Sequence, residues 1–314
     1  MMVDFIHPTH SGIPIPEVSN NVAVMFLLEK SVILRRAKIF LDIINTILFT
    51  EQIIMLLGVN IDHIAVLREA RRVGDPDPLD ALGICKRAGA DQITIHLRED
   101  RRHMQDADAE HIIELSALPV NLECAIAPEM IDIACRLRPH RVTLVPEKRE
   151  EVTTEGGLAV TGDQPRVAEA IEKLHQHEIE VSLFIDPTSE ALKASKALGV
   201  EWIEFHTGKY ANIYAMLYTN LAKTHHTIPE LELPRHTLRK MLDEELHTLR
   251  VLSKEAREIG LRVAAGHGLN MQNVSAIVEI GDIEELNIGQ SIIARSVYTG
   301  LEQAIVDMKA MLKR

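Results

Sequence analysis

Cysteine is scarce: Cys85, Cys124 and Cys135 are the only three in 314 residues, and no C-x-x-C spacing links them. All three fall in segments expected to be buried. That argues against a disulfide framework or a zinc site and fits a reducing, cytoplasmic setting. Cationic residues are also short, with 34 Lys and Arg against 46 Asp and Glu and a net charge of −12. The broad cationic surface of a non-specific nucleic-acid binder is therefore missing. A local cationic pocket for a phosphorylated metabolite stays open. No uncharged apolar run reaches the roughly 18 residues that a membrane span needs. The most apolar region, 22–54, is interrupted by Glu29, Lys30, Arg35, Arg36, Lys38, Asp42 and Glu51. No G-x-G-x-x-G follows the first strand-like run, and no H-E-x-x-H occurs, so the best-known dinucleotide and zinc-protease signatures are absent.

What is present is an ordinary globular composition, 46% hydrophobic and 25% charged, enough for a large core. Residues 1–54 read apart from the rest, with loop-like Ile13-Pro14-Ile15-Pro16 and Ser19-Asn20-Asn21 ahead of the apolar stretch. They lack the basic start and small-residue cleavage site of a secretory signal. They are expected to be an extension outside the fold, translated from upstream of a true start at Met55; an amphipathic surface helix is the alternative. From Leu56 onward, short strand-like runs alternate with helical ones. The runs are Leu56–Asp62, Gln92–Leu97, Pro119–Cys124, Arg141–Val145, Glu180–Ile185, Trp202–His206, Arg262–Ala265 and Glu285–Ile288. Helical patterns separate them, among them Pro78–Ala88, Pro128–Leu137 and His236–Ile259, and Leu301–Leu312 closes the chain. Eight such repeats over 55–314 predict an α/β fold, a (β/α)8 TIM barrel in a single catalytic domain. Residues 210–234 form an insertion after the sixth strand, read either as a lid or subunit contact or as a surface excursion without a role.

Successive strand side chains point to opposite faces. Thr94, His96 and Arg98 thus oppose Ile93, Ile95 and Leu97. The same parity aligns Gly58, Asn60 and Asp62 on the first strand, Asn121 and Glu123 on the third, Glu204 and His206 on the sixth, and Asn287 and Gly289 on the eighth. A structural barrel fills its lumen with branched apolar layers, so this much inward polarity is costly unless it is networked. Any one of these residues alone is best read as a satisfied core group. The convergence of His96, Glu123, Glu204 and His267 at the C-terminal strand ends points instead to acid–base chemistry. Gly266-His267-Gly268 and Gly289-Gln290-Ser291 follow the seventh and eighth strands, where this fold often holds phosphate; the plain reading is tight turns. Arg71, Arg98, Arg101 and Arg102 are candidates for a second anion, although Arg101 and Arg102 also read as solvated charges. Asp62 and His63, adjacent on a strand, diverge and cannot easily share a metal ion. A Schiff-base lysine is only weakly supported by Lys148 and Lys209, which lie in loops.

The chain resembles a known family on Gly58-Val59-Asn60-Ile61-Asp62-His63-Ile64-Ala65, His96–His103, Val145-Pro146-Glu147-Lys148-Arg149, Val152–Gly157, Ala265-Gly266-His267-Gly268-Leu269 and Leu286-Asn287-Ile288-Gly289. Together, in this order, these motifs resemble the pyridoxine 5′-phosphate synthases, with the insertion similar to the cyanobacterial branch. The resemblance implies condensation of 1-deoxy-D-xylulose 5-phosphate with 3-amino-2-oxopropyl phosphate, without metal or organic cofactor, in a cytoplasmic homo-octamer. By motif, His96 and Glu123 would be bases, His267 an acid, and Glu204 a transition-state stabiliser. Asn60, Gly268, Gly289 and Gln290 would hold the aminoketone phosphate. Asp62, His63, Arg98, His103 and Thr153 would hold the deoxyxylulose phosphate, with Arg71 on the phosphate side. Gln290 departs from the histidine many relatives carry, so any imidazole contact there is lost while a backbone N–H contact survives.

Overall fold

The computed structural model describes residues 55–147, 156–162 and 164–313; the extension 1–54 and the candidates Thr153 and Lys148 lie outside the described residues. Eight parallel strands close into a barrel in sequence order: β1 (Leu56–Asn60), β2 (Gln92–His96), β3 (Val120–Cys124), β4 (Arg141–Leu144), β5 (Glu180–Ile185), β6 (Trp202–His206), β7 (Arg262–Gly266) and β8 (Glu285–Ile288). The expected runs fall within a residue or two of these, apart from the longer first one. The helices around them are α1 (Asp62–Arg71), α2 (Asp80–Ala88), α3 (Asp106–Leu115), α4 (Pro128–Leu137), α5 (Gln164–His175), α6 (Ser189–Ala197), α7 (Gly208–Tyr218), α8 (Arg235–Glu258), α9 (Val274–Val278), α10 (Gln290–Thr299) and α11 (Leu301–Met311). Among the described residues no helix is long and apolar enough to cross a membrane.

Register follows parity. Val59 pairs with Ile93, Ile95 with Leu122, and Leu183 with Ile203, and these side chains are buried beneath the helices. A one-residue slip would carry that apolar set into the lumen, so the pattern specifies the pairing. On the inward parity, Thr94 pairs with Asn121 and His96 with Glu123. The polar lumen is networked, as its burial requires. At the N-terminal end Arg141 donates to both carboxylate oxygens of Glu285 at 2.9 and 3.1 Å and to Gln92 at 3.1 Å. Its guanidinium stacks 3.9 Å above the Trp202 ring.

Three elements differ from expectation. β1 stops at Asn60, and Asp62 opens α1, its carboxylate accepting from the His96 N–H at 2.8 Å. Asp62 and His63 therefore sit in a helical first turn and both line one cavity, instead of diverging along a strand. The start of the 210–234 insertion is α7, because Tyr210, Ile213 and Leu217 recur at helical spacing and are buried. Tyr210, Tyr214 and Tyr218 stack along it, with centroids 6.2 and 4.8 Å apart. Finally, α10 begins directly after β8 where a glycine turn was expected.

Arg141→Leu should leave Glu285 buried without its cation. A loss of about 3–5 kcal/mol is expected, read as a lower urea midpoint at unchanged m-value.

Candidate active site

The C-terminal strand ends open into a cavity of about 360 Å³. Asn60, Asp62, His63, His96, Arg98 and His103 line one side of it. Glu123, Glu204, His267, Gly268, Gly289 and Gln290 line the rest. Among the described candidates, Arg71, Arg101, Arg102 and Lys209 do not line the cavity. Arg71 lies exposed in the last turn of α1, about 13 Å along the helix from Asp62 at 1.5 Å per residue. Arg101 pairs with Asp106 and Glu129, and Arg102 with Asp100, so Arg98 is the arginine that reaches the cavity. Lys209 pairs with Glu245 and does not line the cavity, which removes it as a Schiff-base candidate.

His96 is held from both sides. Its Nε2 lies 2.8 Å from Glu147 Oε1, and its Nδ1 lies 3.9 Å from Glu123 Oε2. Burial raises Glu147, but the His96 bond, its charge and the Glu99 N–H together bring its carboxyl below the ordinary value. An ionised carboxylate only accepts. Nε2 therefore carries hydrogen, and Nδ1 faces Glu123. Glu147 was quoted within a motif but given no role in the sequence; nothing local to it announces a bond that spans two loops.

The other carboxyls are shifted the opposite way. Burial raises Glu123 well above its ordinary value, and the charges of Glu204 and Asp62 add to it. Burial takes Glu204 to about 7, against the Asn287 bond at 2.8 Å. Asp62 rises to about 6, again through burial. The histidines fall: His103 and His267 to about 4, each by burial first and then by neighbouring positive charge. His103 Nδ1 accepts from the Met104 N–H at 2.8 Å, leaving its Nε2–H as a donor. His267 has φ +82, a strained backbone for a non-glycine residue and one commonly found at working sites. Burial thus disfavours the charged forms of Asp62, Glu123, Glu204, His103 and His267, and the loss of carboxylate charge suits the cavity to anions.

Asn287 is a further lining residue that parity had placed inward without assigning it a role. It bridges Glu204 and Glu285 through Nδ2 at 2.8 and 3.2 Å and accepts from Thr94 at 3.0 Å. Gly289 is required beside it, since a Cβ there would stand 2.9 Å from Asn60 Cβ. The N-terminus of α10 meets the cavity at Gln290 and Ser291, which offers backbone N–H groups to an anion.

Glu204 has a clear pH signature. Its folded pKa lies above its unfolded one, so the folded state holds the extra proton and stability falls as pH rises through about 7. Glu204→Gln should lose less stability than the native chain between pH 5 and pH 8, measured by urea denaturation at both.

The profile of the family described as "Pyridoxal phosphate biosynthesis protein PdxJ" matches residues 57–314. A protein of Sulfurovum sp. (strain NBC37-1) named pyridoxine 5′-phosphate synthase is 80% identical over 258 residues, covering 82% of this chain and 100% of that protein. One of the same name from Aliarcobacter butzleri is 65% identical, covering 82% and 99%. Among solved structures, phosphoribosyl anthranilate isomerase from Thermococcus kodakaraensis superposes with TM-score 0.50 at 12% identity, covering 83% of this chain and 99% of that one; this supports the barrel fold alone. On the extent of the profile match and the identity to these relatives, the chain belongs to the PdxJ family.

Proposed function

We propose that the chain is a pyridoxine 5′-phosphate synthase, condensing 1-deoxy-D-xylulose 5-phosphate with 3-amino-2-oxopropyl phosphate to pyridoxine 5′-phosphate, phosphate and water. The observation that carries this reading is one cavity holding four imidazoles and three carboxyls of raised pKa, in a member of this family. Imine formation, dehydration and ring closure are successive proton transfers, each fastest when the acid or base titrates near working pH. His96, oriented by Glu147, offers its Nδ1 lone pair as a base beside Glu123. Glu123 takes the second basic role. Glu204, steadied by Asn287, stabilises the charge that develops in the transition state, and His267 acts as acid. Asn60, Gly268, Gly289 and Gln290, with the α10 N-terminus, hold the aminoketone phosphate. Asp62, His63, Arg98 and His103 hold the deoxyxylulose phosphate. Holding both substrates in register removes an entropic penalty of up to roughly 7–11 kcal/mol.

The same reading places the enzyme in the cytoplasm as a homo-octamer. Supporting assembly, Leu67 of α1 and Val297 and Tyr298 of α10, two helices in contact, leave large apolar surface exposed. Light scattering of the full chain measures the mass. Residues 1–54 are read as lying outside the catalytic unit, supported by a relative matched along its whole length by 258 residues.

The test supplies both substrates, with EDTA, to the full chain and to a 55–314 fragment, following pyridoxine 5′-phosphate and released phosphate. Equal rates are expected, and a folded full chain that forms no product overturns the synthase reading. Glu123→Gln should bind both substrates within about threefold yet lose at least a hundredfold in kcat, the usual scale of one acid–base group; unchanged turnover removes Glu123 from the mechanism.

A further inference from the structure

His206 stands two residues beyond Glu204, on the inward face of β6, and the reaction scheme above leaves it unused. Its Nδ1 lies 3.1 Å from Asp186 Oδ1. Asp186 is held below its ordinary value, first by that bond, so it accepts and Nδ1 carries hydrogen. The other ring nitrogen, Nε2, is buried and has no hydrogen-bond partner among the described residues. It faces the space above Gly208: a Cβ at that position would lie 2.4 Å from His206 Nε2 and 3.1 Å from His267 Cδ2. Glycine is what keeps this gap open. Across it the two imidazoles meet edge to face, with centroids 5.0 Å apart at 69°. Phe184 backs His206 on another side at 5.2 Å.

A buried ring nitrogen left bare is costly. Its orientation toward an acid gives that cost a use. We propose that His206, ion-paired to Asp186, is a proton store for His267. The proposal rests on the acid role given to His267 above. While the cavity is open to water, His206 Nε2 takes up a proton, and the imidazolium is balanced by the Asp186 carboxylate. With both substrates bound, neutral His267 gives its N–H proton to the departing oxygen while its other nitrogen takes the His206 Nε2 proton across the Gly208 gap, directly or through one water. His267 thus ends neutral, and His206 keeps its Nδ1–H on Asp186. Product release readmits water, which recharges Nε2. One proton enters and one leaves with the phosphate in each turnover.

Among the described residues, the charged and titratable groups around His206 are few. Asp186 comes from the end of β5, and His267 from the end of β7 with His63 beyond it. Lys209 lies at the start of α7, itself paired to Glu245 of α8, and Glu204 lies below on β6. Asp186 is the nearest of them, and its side chain is 53% exposed at the rim, so changing it leaves the core packing alone.

His206→Asn keeps a donor where Nδ1 stands and removes Nε2, and Asp186→Asn keeps the shape and removes the balancing charge. In the full-length enzyme each variant should lower kcat about tenfold or more at pH 8, with KM for both substrates within about twofold. The deficit should shrink as pH falls toward about 4, where His267 takes its proton from solvent without the store. A kcat deficit that is equal at all pH values, or absent in Asp186→Asn, overturns the proposal. NMR titration of the imidazoles gives a readout free of turnover. His267 should titrate in two coupled steps in the native chain and in one step, displaced upward, in His206→Asn. An unchanged His267 curve overturns the store even where the enzyme is active. Native enzyme that binds both substrates but forms no product overturns the synthase reading instead, and the titration still decides on the His206–His267 pair.

Discussion

A closed barrel with a polar lumen has to satisfy each inward side chain with another inward side chain, because no bulk water reaches it. Arg141 anchors that arrangement. Its guanidinium binds Glu285 and Gln92 and lies over Trp202 at the N-terminal end. Glu285 then shares the Asn287 amide with Glu204, and Thr94 fixes the far side of that amide. A buried cation at the bottom of the barrel therefore sets the position of a carboxyl that lines the cavity at the top. Breaking the chain at any point would strand a polar group without water, which keeps Glu204 in one place.

The same exclusion of water sets the charge states. Glu123 and Glu147 sit near opposite nitrogens of one imidazole, yet they shift in opposite directions. Glu147 accepts from His96 and from the Glu99 N–H. Glu123 has only other carboxyls as strong electrostatic company. One glutamate thus orients the histidine as an anion, while burial favours the protonated form of the other. The lowered His103 and His267 and the raised carboxyls leave little charge in the cavity. Two phosphates arriving there would find the positive charge of Arg98 and the N-terminus of α10 without a competing anion in the cavity centre.

Alternation within the eight runs was enough to read the strands, the closure and the inward set Asn60, His96, Glu123 and Glu204, since period-two burial leaves a local trace. The glycines at 268 and 289 were legible for a similar reason: a turn that crowds Ala211 at 268 or Asn60 at 289 admits no side chain. Other features left no such trace. α1 was hidden because the apolar pattern of β1 runs on into it, and α10 because Gly289 looked like the end of an element. Arg71, a phosphate candidate by motif, lies exposed on α1 and does not line this chain's cavity. Glu147, Asn287 and His206 owe their placement to partners on other strands or beyond them, and no window of sequence contains both ends of such a bond.

Sequence alone determined which residues face the lumen and in what register the strands close, because both follow from the alternation of apolar and polar side chains along each strand. Tertiary structure alone decided in which direction the inward groups titrate, that His96 Nε2 meets Glu147, and that His206 Nε2 faces His267 across Gly208. Protonation depends on burial and on charges a few ångströms away in space, and those neighbours are set by how the barrel closes.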